Sequence, residues 1–205
     1  MPRAKSTSRT ALVDSALKTF WKKGFHVVSM GDLVRETGVN RSSLYSDFPS
    51  KDALFHACLD RYQEKVVTPA FAPVEREGAG LAEIRLYLEN LLTRSAAHPG
   101  SGDGCLVLNT LAQVTPAEAD TLQRLRAHTT RLQRGIHRAL ASENQRHQCL
   151  PEAEIDALSR FTLISLQGLW AQSRGSTDTP ALRQYCETLL LLLANRLGCE
   201  VPADG

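Results

Sequence analysis

Apolar residues recur along this chain at spacings of three and four, and no stretch alternates apolar and polar positions over strand length. Between Thr10 and Lys23 two adjacent rows, Leu12, Ala16, Phe20 and Val13, Leu17, Trp21, make a wide core-facing stripe, so a first helix is expected there. Gly24 stands where a left-handed residue ends a helix, with Phe25 as its apolar cover. Ser29 and Asp32 form a capping-box pattern opening a second helix, which carries Leu33 and Val34 on its apolar side and stops at Gly38. Asn40 is a good N-cap for a short third helix, Arg41 to about Asp47, with only Leu44 and Phe48 facing inward. Ser50 caps a fourth helix, expected from Lys51 to about Val67, where Pro69 and Pro73 break the pattern.

Leu81–Ala97 reads as the next helix, and the Pro/Gly/Ser-rich run from His98 to Gly104 is the clearest linker. Further helices are expected over Cys105–Val114, Pro116 to about Glu143, Pro151 to about Arg174 and Pro180–Leu197. Three of these open on proline, which the first helical turn tolerates. The fold class is therefore all-α, with about nine helices.

Composition narrows the function by exclusion. A hydrophobic share of 42 % is ordinary for a folded protein. The run Leu189–Ala194 falls far short of the ~18 apolar residues of a membrane helix, and the basic N-terminus lacks the apolar stretch of a secretory signal. A cytoplasmic protein without membrane attachment is expected. The net charge is only +2, but residues 1–51 hold nine Lys/Arg against four Asp/Glu, so the positive excess lies in the N-terminal segment. A basic head on a body without positive excess suits a nucleic-acid-binding protein. The five cysteines are scattered without a Cys-x-x-Cys pair, and the six histidines lack zinc-ligand spacing, so buried thiols and no metal or cofactor are expected. There is no Gly-rich phosphate loop, Gly-x-Ser-x-Gly elbow or His-Glu-x-x-His, so no catalytic residue is assigned.

The second and third helices, joined by Gly38, Val39 and Asn40, match a helix-turn-helix. Arg41, Ser42, Ser43, Tyr45 and Ser46 leave the third helix a polar outer face that gains little by itself, and a DNA major groove is a natural partner for it. Lys51 and the helix start at Ser50–Asp52 offer a cation and free N–H groups suited to a phosphate. A helical binding module without DNA activity is the rival reading.

Phe20 to Phe25, Ser29 to Val34, Gly38 to Phe48 and Ser50 to Leu54, above all Leu44, Tyr45, Phe48 and Lys51, resemble the N-terminal domain of TetR-family repressors. Asn40-Arg41 departs from the Ser-Lys or Pro-Lys of many members. The run Gly104 to Asn109 weakly resembles the opening of the sixth helix in a subset of the family. The resemblance implies a three-helix helix-turn-helix head over residues 1–50 and a helical ligand-binding and dimerisation domain over 51–205. It implies a homodimer on a palindromic double-stranded DNA operator, acting as a repressor released by a small-molecule inducer of unknown identity.

On that reading Arg41, Ser42 and Ser43 face base edges, with Ser46 on the same face. Tyr45, Lys51 and the Ser29 cap face phosphates, and Arg3, Lys5 and Arg9 form a supplementary arm. Inducer-pocket walls are expected at Tyr87, Leu91, Cys105, Asn109, Gln113, Phe161, Gln167 and Trp170, although aromatic residues at helical spacing also serve as core. Cys105 reads either as an electrophile-sensing thiol or as packing. His128 and His137, among Arg124, Arg131, Arg134 and Arg138, read as a solvated face, and Glu152, Glu154 and Asp156 as helix-start charges. The last helix is apolar nearly all round, through Leu182, Tyr185, Cys186, Leu189 to Leu193 and Leu197. A dimer through it is therefore expected, with Leu158, Phe161, Thr162, Ser165 and Leu169 contributed by the helix before.

Overall fold

A computed structural model describes residues 9–97, 104–147, 150–175 and 179–203, and every regular element in them is helical. In chain order these are α1 (Arg9–Lys23), α2 (Met30–Thr37), α3 (Arg41–Asp47), α4 (Lys51–Tyr62), α5 (Thr68–Glu75), α6 (Leu81–Ala97), α7 (Leu106–Leu111), α8 (Ala119–His147), α9 (Glu152–Gly175) and α10 (Thr179–Leu197). A π-helical turn, Gln63–Val67, joins α4 to α5. The expectation that Pro69 and Pro73 end the fourth helix is thus overturned, since helical backbone runs on to Glu75. Neither proline has an N–H to offer the ladder. The backbone changes register in the π turn just ahead of them, and Phe71, Pro73 and Val74 are buried where α5 meets α6.

The chain packs as two compact units, Met1–Val67 with Leu106–Leu125, and Thr68–Cys105 with Arg126–Gly205. Compactness therefore divides the chain elsewhere than at residue 50, where a division of function was expected.

In the first unit α1 lies along α4. The stripe of α1 is buried as its spacing dictates, at Leu12, Val13, Ala16, Leu17 and Phe20. Phe20 meets Phe55 edge-on at 5.1 Å, and Phe25 lies 4.4 Å from the same ring. Arg61 closes a two-pronged bridge onto Asp14 at 2.6 and 3.0 Å, which holds the Asp14 carboxyl below the ordinary carboxylate range. The far side of α4 meets α7 and the start of α8, where His56 Nε2 is 2.9 Å from Thr121 Oγ1 and Arg124 donates to Asp60 at 2.8 Å.

In the second unit α6 packs on α5 and α10, and α10 on α9. A Cβ on Gly135 would come within 2.5 Å of the Phe71 ring, so glycine is what lets α8 approach α5 there. Arg131 grips Glu75 with Nε at 2.7 Å, and buried Arg85 donates to Glu187 and Glu89. His128 corrects the solvated-face reading: it is 6 % exposed, and burial pushes its imidazole pKa down to about 4. Its place on the stripe with Leu125, Leu132 and Ile136 explains why. His137 is paired instead, with Glu152 at 3.1 Å and Asp156 at 3.2 Å.

Candidate nucleic-acid interface

The polar face of α3 is built from local signals. Ser29 caps α2 reciprocally: its Oγ accepts from the Asp32 N–H at 3.1 Å, and Asp32 Oδ2 accepts from the Ser29 N–H at 2.9 Å. The Ser29 hydroxyl, which donates to Asp32 Oδ2 at 2.6 Å, and then the Ser29 N–H, with Arg35 beside them, hold the Asp32 carboxyl below its usual range. Lys23 ties α1 to α2 through Glu36 at 2.7 Å. Gly38 ends α2 with φ 68°, a left-handed conformation, and its N–H reaches Val34 O at 3.1 Å. Asn40 Oδ1 then accepts from the Ser43 N–H at 2.8 Å and from Ser42 Oγ at 2.9 Å, which starts α3 at Arg41.

Only Leu44, with no exposed surface, and Phe48, 2 % exposed, anchor α3. Arg41, Ser42, Ser43, Tyr45 and Ser46 all face outward. The Arg41 guanidinium lies over the Tyr45 ring, 5.6 Å from its centroid, so the two side chains one turn apart form a single cation–aromatic unit. Arg9, expected in a supplementary arm, stacks in the same way on Phe48 at 5.0 Å and so covers the core there. Arg3 and Lys5 lie outside the described residues.

Lys51 has a structural role that its position in the sequence did not disclose. It is half-buried, its Nζ donates to the Phe25 carbonyl at 3.1 Å, and it sits 4.6 Å from the centre of the Phe25 ring. It therefore straps the start of α4 to the α1–α2 connection. The Ser50 side chain caps α4 by accepting from the Ala53 N–H at 3.0 Å.

The expected pocket residues separate. Tyr87, Leu91, Cys105, Phe161, Gln167 and Trp170 belong to the second unit, and Asn109 and Gln113 to the first. Tyr87, 4 % exposed, meets Phe71 edge-on at 5.1 Å, and burial raises its phenol pKa. Trp170 is buried, while Leu91 and Gln167 are partly so. Phe161, by contrast, is 46 % exposed on the outer side of α9. Gln113 donates back to the Asn109 carbonyl at 2.9 Å, and its side chain lies against Gly24. Cys105, just ahead of α7, is 4 % exposed, and such burial favours packing over a reactive thiol.

Residues 12–58 match the family model described as bacterial regulatory proteins, tetR family. The Escherichia coli K12 transcriptional repressor ComR is 28 % identical over 93 % of this chain and 90 % of its own length. The repressor BdcR of the same organism is 27 % identical over 86 % of this chain and 82 % of its own length. The fold is shared with a cysteine mutant of the TetR family regulator CifR, solved with 26 bp double-strand operator DNA. There the TM-score is 0.78 at 21 % identity, over 92 % of this chain and 97 % of that one.

Proposed function

Because the chain belongs to the TetR family and is a DNA-binding transcriptional regulator, we propose that it represses transcription from a palindromic operator and is released by a small-molecule inducer. The observation that carries this reading is α3: two buried anchors, and every other side chain turned out as a polar face. Residues 1–50 do the DNA reading and 51–205 the regulation and dimerisation. Arg41, Ser42, Ser43 and Ser46 lie toward base edges, with Tyr45 held by Arg41 against a phosphate. The Ser29 N-cap and the remaining donors of Lys51 complete the phosphate contacts. The work is cytoplasmic, where the chromosome is.

A twofold dimer presents two such helices to the two half-sites. Two outward stripes support it. On α9, Ala157, Phe161, Ile164, Gly168 and Ala171 are all exposed and spaced by four and three; on α10, Tyr185, Leu191 and Leu192 are exposed. Thr162, Ser165 and Leu169 are buried within the chain, so the α9 side of the dimer shifts to Phe161 and Ile164. The inducer reading narrows to walls of a single unit: Tyr87, Leu91, Cys105, Gln167 and Trp170.

The test is an operator shift assay across salt concentrations. Arg41→Ala is expected to cost about 1–3 kcal/mol and to relax preference at one base position, and Tyr45→Ala to weaken all sequences alike. If Arg41→Ala leaves both affinity and preference unchanged, α3 does not read the operator.

A further inference from the structure

We propose that Glu143, His147 and Cys199 form a binding site for one divalent cation of zinc type, held between the end of α8 and the residues that follow α10. The donor atoms of the three side chains all lie within 4.8 Å of one another, and His147 Nε2 is 3.4 Å from Glu143 Oε1. Donors on one tetrahedral zinc stand about 3.3–3.8 Å apart, given bond lengths of about 2.0–2.3 Å. The nitrogen–oxygen pair is therefore at ligand spacing already, and the thiol closes the remaining ångström or so by a small side-chain rotation. A carboxylate, an imidazole and a thiolate are a donor set for zinc or cobalt rather than for magnesium or calcium.

Each ligand is held in place by a separate device. Glu143 and His147 are one turn apart in the last turn of α8, so both point from the same side of the helix. Glu143 Oε2 accepts from the Leu81 N–H at 2.9 Å and from Arg146 Nη1 at 3.1 Å, leaving Oε1 as the oxygen beside His147. Its side chain is only 12 % exposed, and such outer bonds orient a ligating carboxylate. Cys199 is set by the end of α10: Gly198 is left-handed at φ 68°, and the Cys199 N–H reaches Ala194 O at 3.0 Å, a Schellman closure. The C-terminal end of α8 adds the negative pole of its helix, which favours a cation. Three protein donors leave the fourth position to water. Binding takes the thiol proton into solvent as the metal–sulfur bond forms.

The test uses Co²⁺ added to chelator-treated full-length protein, read by visible absorption, with Zn²⁺ as competitor. One Co²⁺ per chain is expected, with a thiolate-to-cobalt charge-transfer band and a tetrahedral ligand-field spectrum that Zn²⁺ abolishes. Cys199→Ser is expected to remove the charge-transfer band. His147→Gln should weaken binding at least about tenfold, the loss that even outer-shell partners cause. Both variants are compared with the parent by melting in metal-free buffer. In the unmutated protein, Zn²⁺ is expected to slow alkylation of Cys199, mapped by mass spectrometry, so the outcome does not hang on the variants folding. Absence of the band, its survival in Cys199→Ser, or alkylation of Cys199 indifferent to Zn²⁺ overturns the site.

Discussion

Replacing Asn40 by alanine isolates what holds the recognition helix in register. α3 is seven residues long and ties its inner side to the core only at Leu44 and Phe48, so its start is set by the cap. An isolated helix of this length is far below the ~12–15 residues at which helices become marginal in water. Asn40→Ala removes the 2.8 Å bond that satisfies the Ser43 N–H and the 2.9 Å bond that orients the Ser42 hydroxyl. Loss of an Asn cap costs about 1 kcal/mol, within a range of about 0.5–2. The Leu44 N–H keeps its partner, because it bonds the Asn40 backbone carbonyl at 3.1 Å, which alanine retains. The expected result in urea denaturation is a loss of about 1 kcal/mol for Asn40→Ala, a few tenths for Asn40→Gly and little change for Asn40→Ser. Operator affinity falls by at most about fivefold, the population equivalent of that energy, and only as far as α3 frays in the free protein. If Asn40→Ala matches Asn40→Ser in both stability and operator affinity, the side-chain cap does not determine the start of α3.

Gly38→Ala forces a Cβ into the left-handed region although no atom lies within 4 Å to clash with it; the expected cost is about 1–2 kcal/mol in thermal unfolding, and less for Gly38→Asn. The pair Ile164→Asp and Leu192→Asp puts charge on residues 66 % and 51 % exposed, so each chain is expected to stay folded while sedimentation shifts to the monomer; an unshifted dimer rules out this face. His128 titrates at about 4 when folded against an ordinary 6.5, so the unfolded chain binds its proton first as pH falls. Its contribution is complete above pH 6.5 and is lost toward pH 4, a fall of about 3 kcal/mol. His128→Gln is expected to flatten that part of the stability–pH curve relative to the parent, and identical curves would refute the assignment.

The head was legible in the sequence because its signals are local. Ser29, Gly38, Asn40 and Ser50 each do the work of a cap within three or four residues of where they stand, and the structure repeats them. The parts that were not legible depend on distant partners. Pro69 and Pro73 read as breakers from propensity alone, yet burial of Phe71 and Val74 where α5 meets α6 outweighs the lost ladder bonds. His128 was obscured by the four arginines around it, although the spacing of Leu125, Leu132 and Ile136 marks it as a stripe position. Lys51 reads in the sequence only as a cation suited to a phosphate, because the Phe25 carbonyl that it binds is 26 residues away. Glu143, His147 and Cys199 show no ligand spacing in the sequence because α10 returns the cysteine to the end of α8.

Release by an inducer requires a ligand whose affinity differs between a DNA-competent arrangement and another, since equal affinity shifts nothing. Moving a 99:1 population to 1:99 takes a difference of about 5.5 kcal/mol. The helix α8 has residues in both compact units. Its first turns, with Thr121 and Arg124, sit in the compact unit of the head and hold α4 at His56 and Asp60. The rest of α8 belongs to the second unit, where Gly135 admits Phe71 and Arg131 holds Glu75. Within the first unit α8 holds α4 through the His56–Thr121 and Asp60–Arg124 contacts. Those two contacts, one partly buried and one exposed, are weaker than the aromatic packing of α4 on α1. Within that unit α4 would therefore stay with α1 before it stayed with α8.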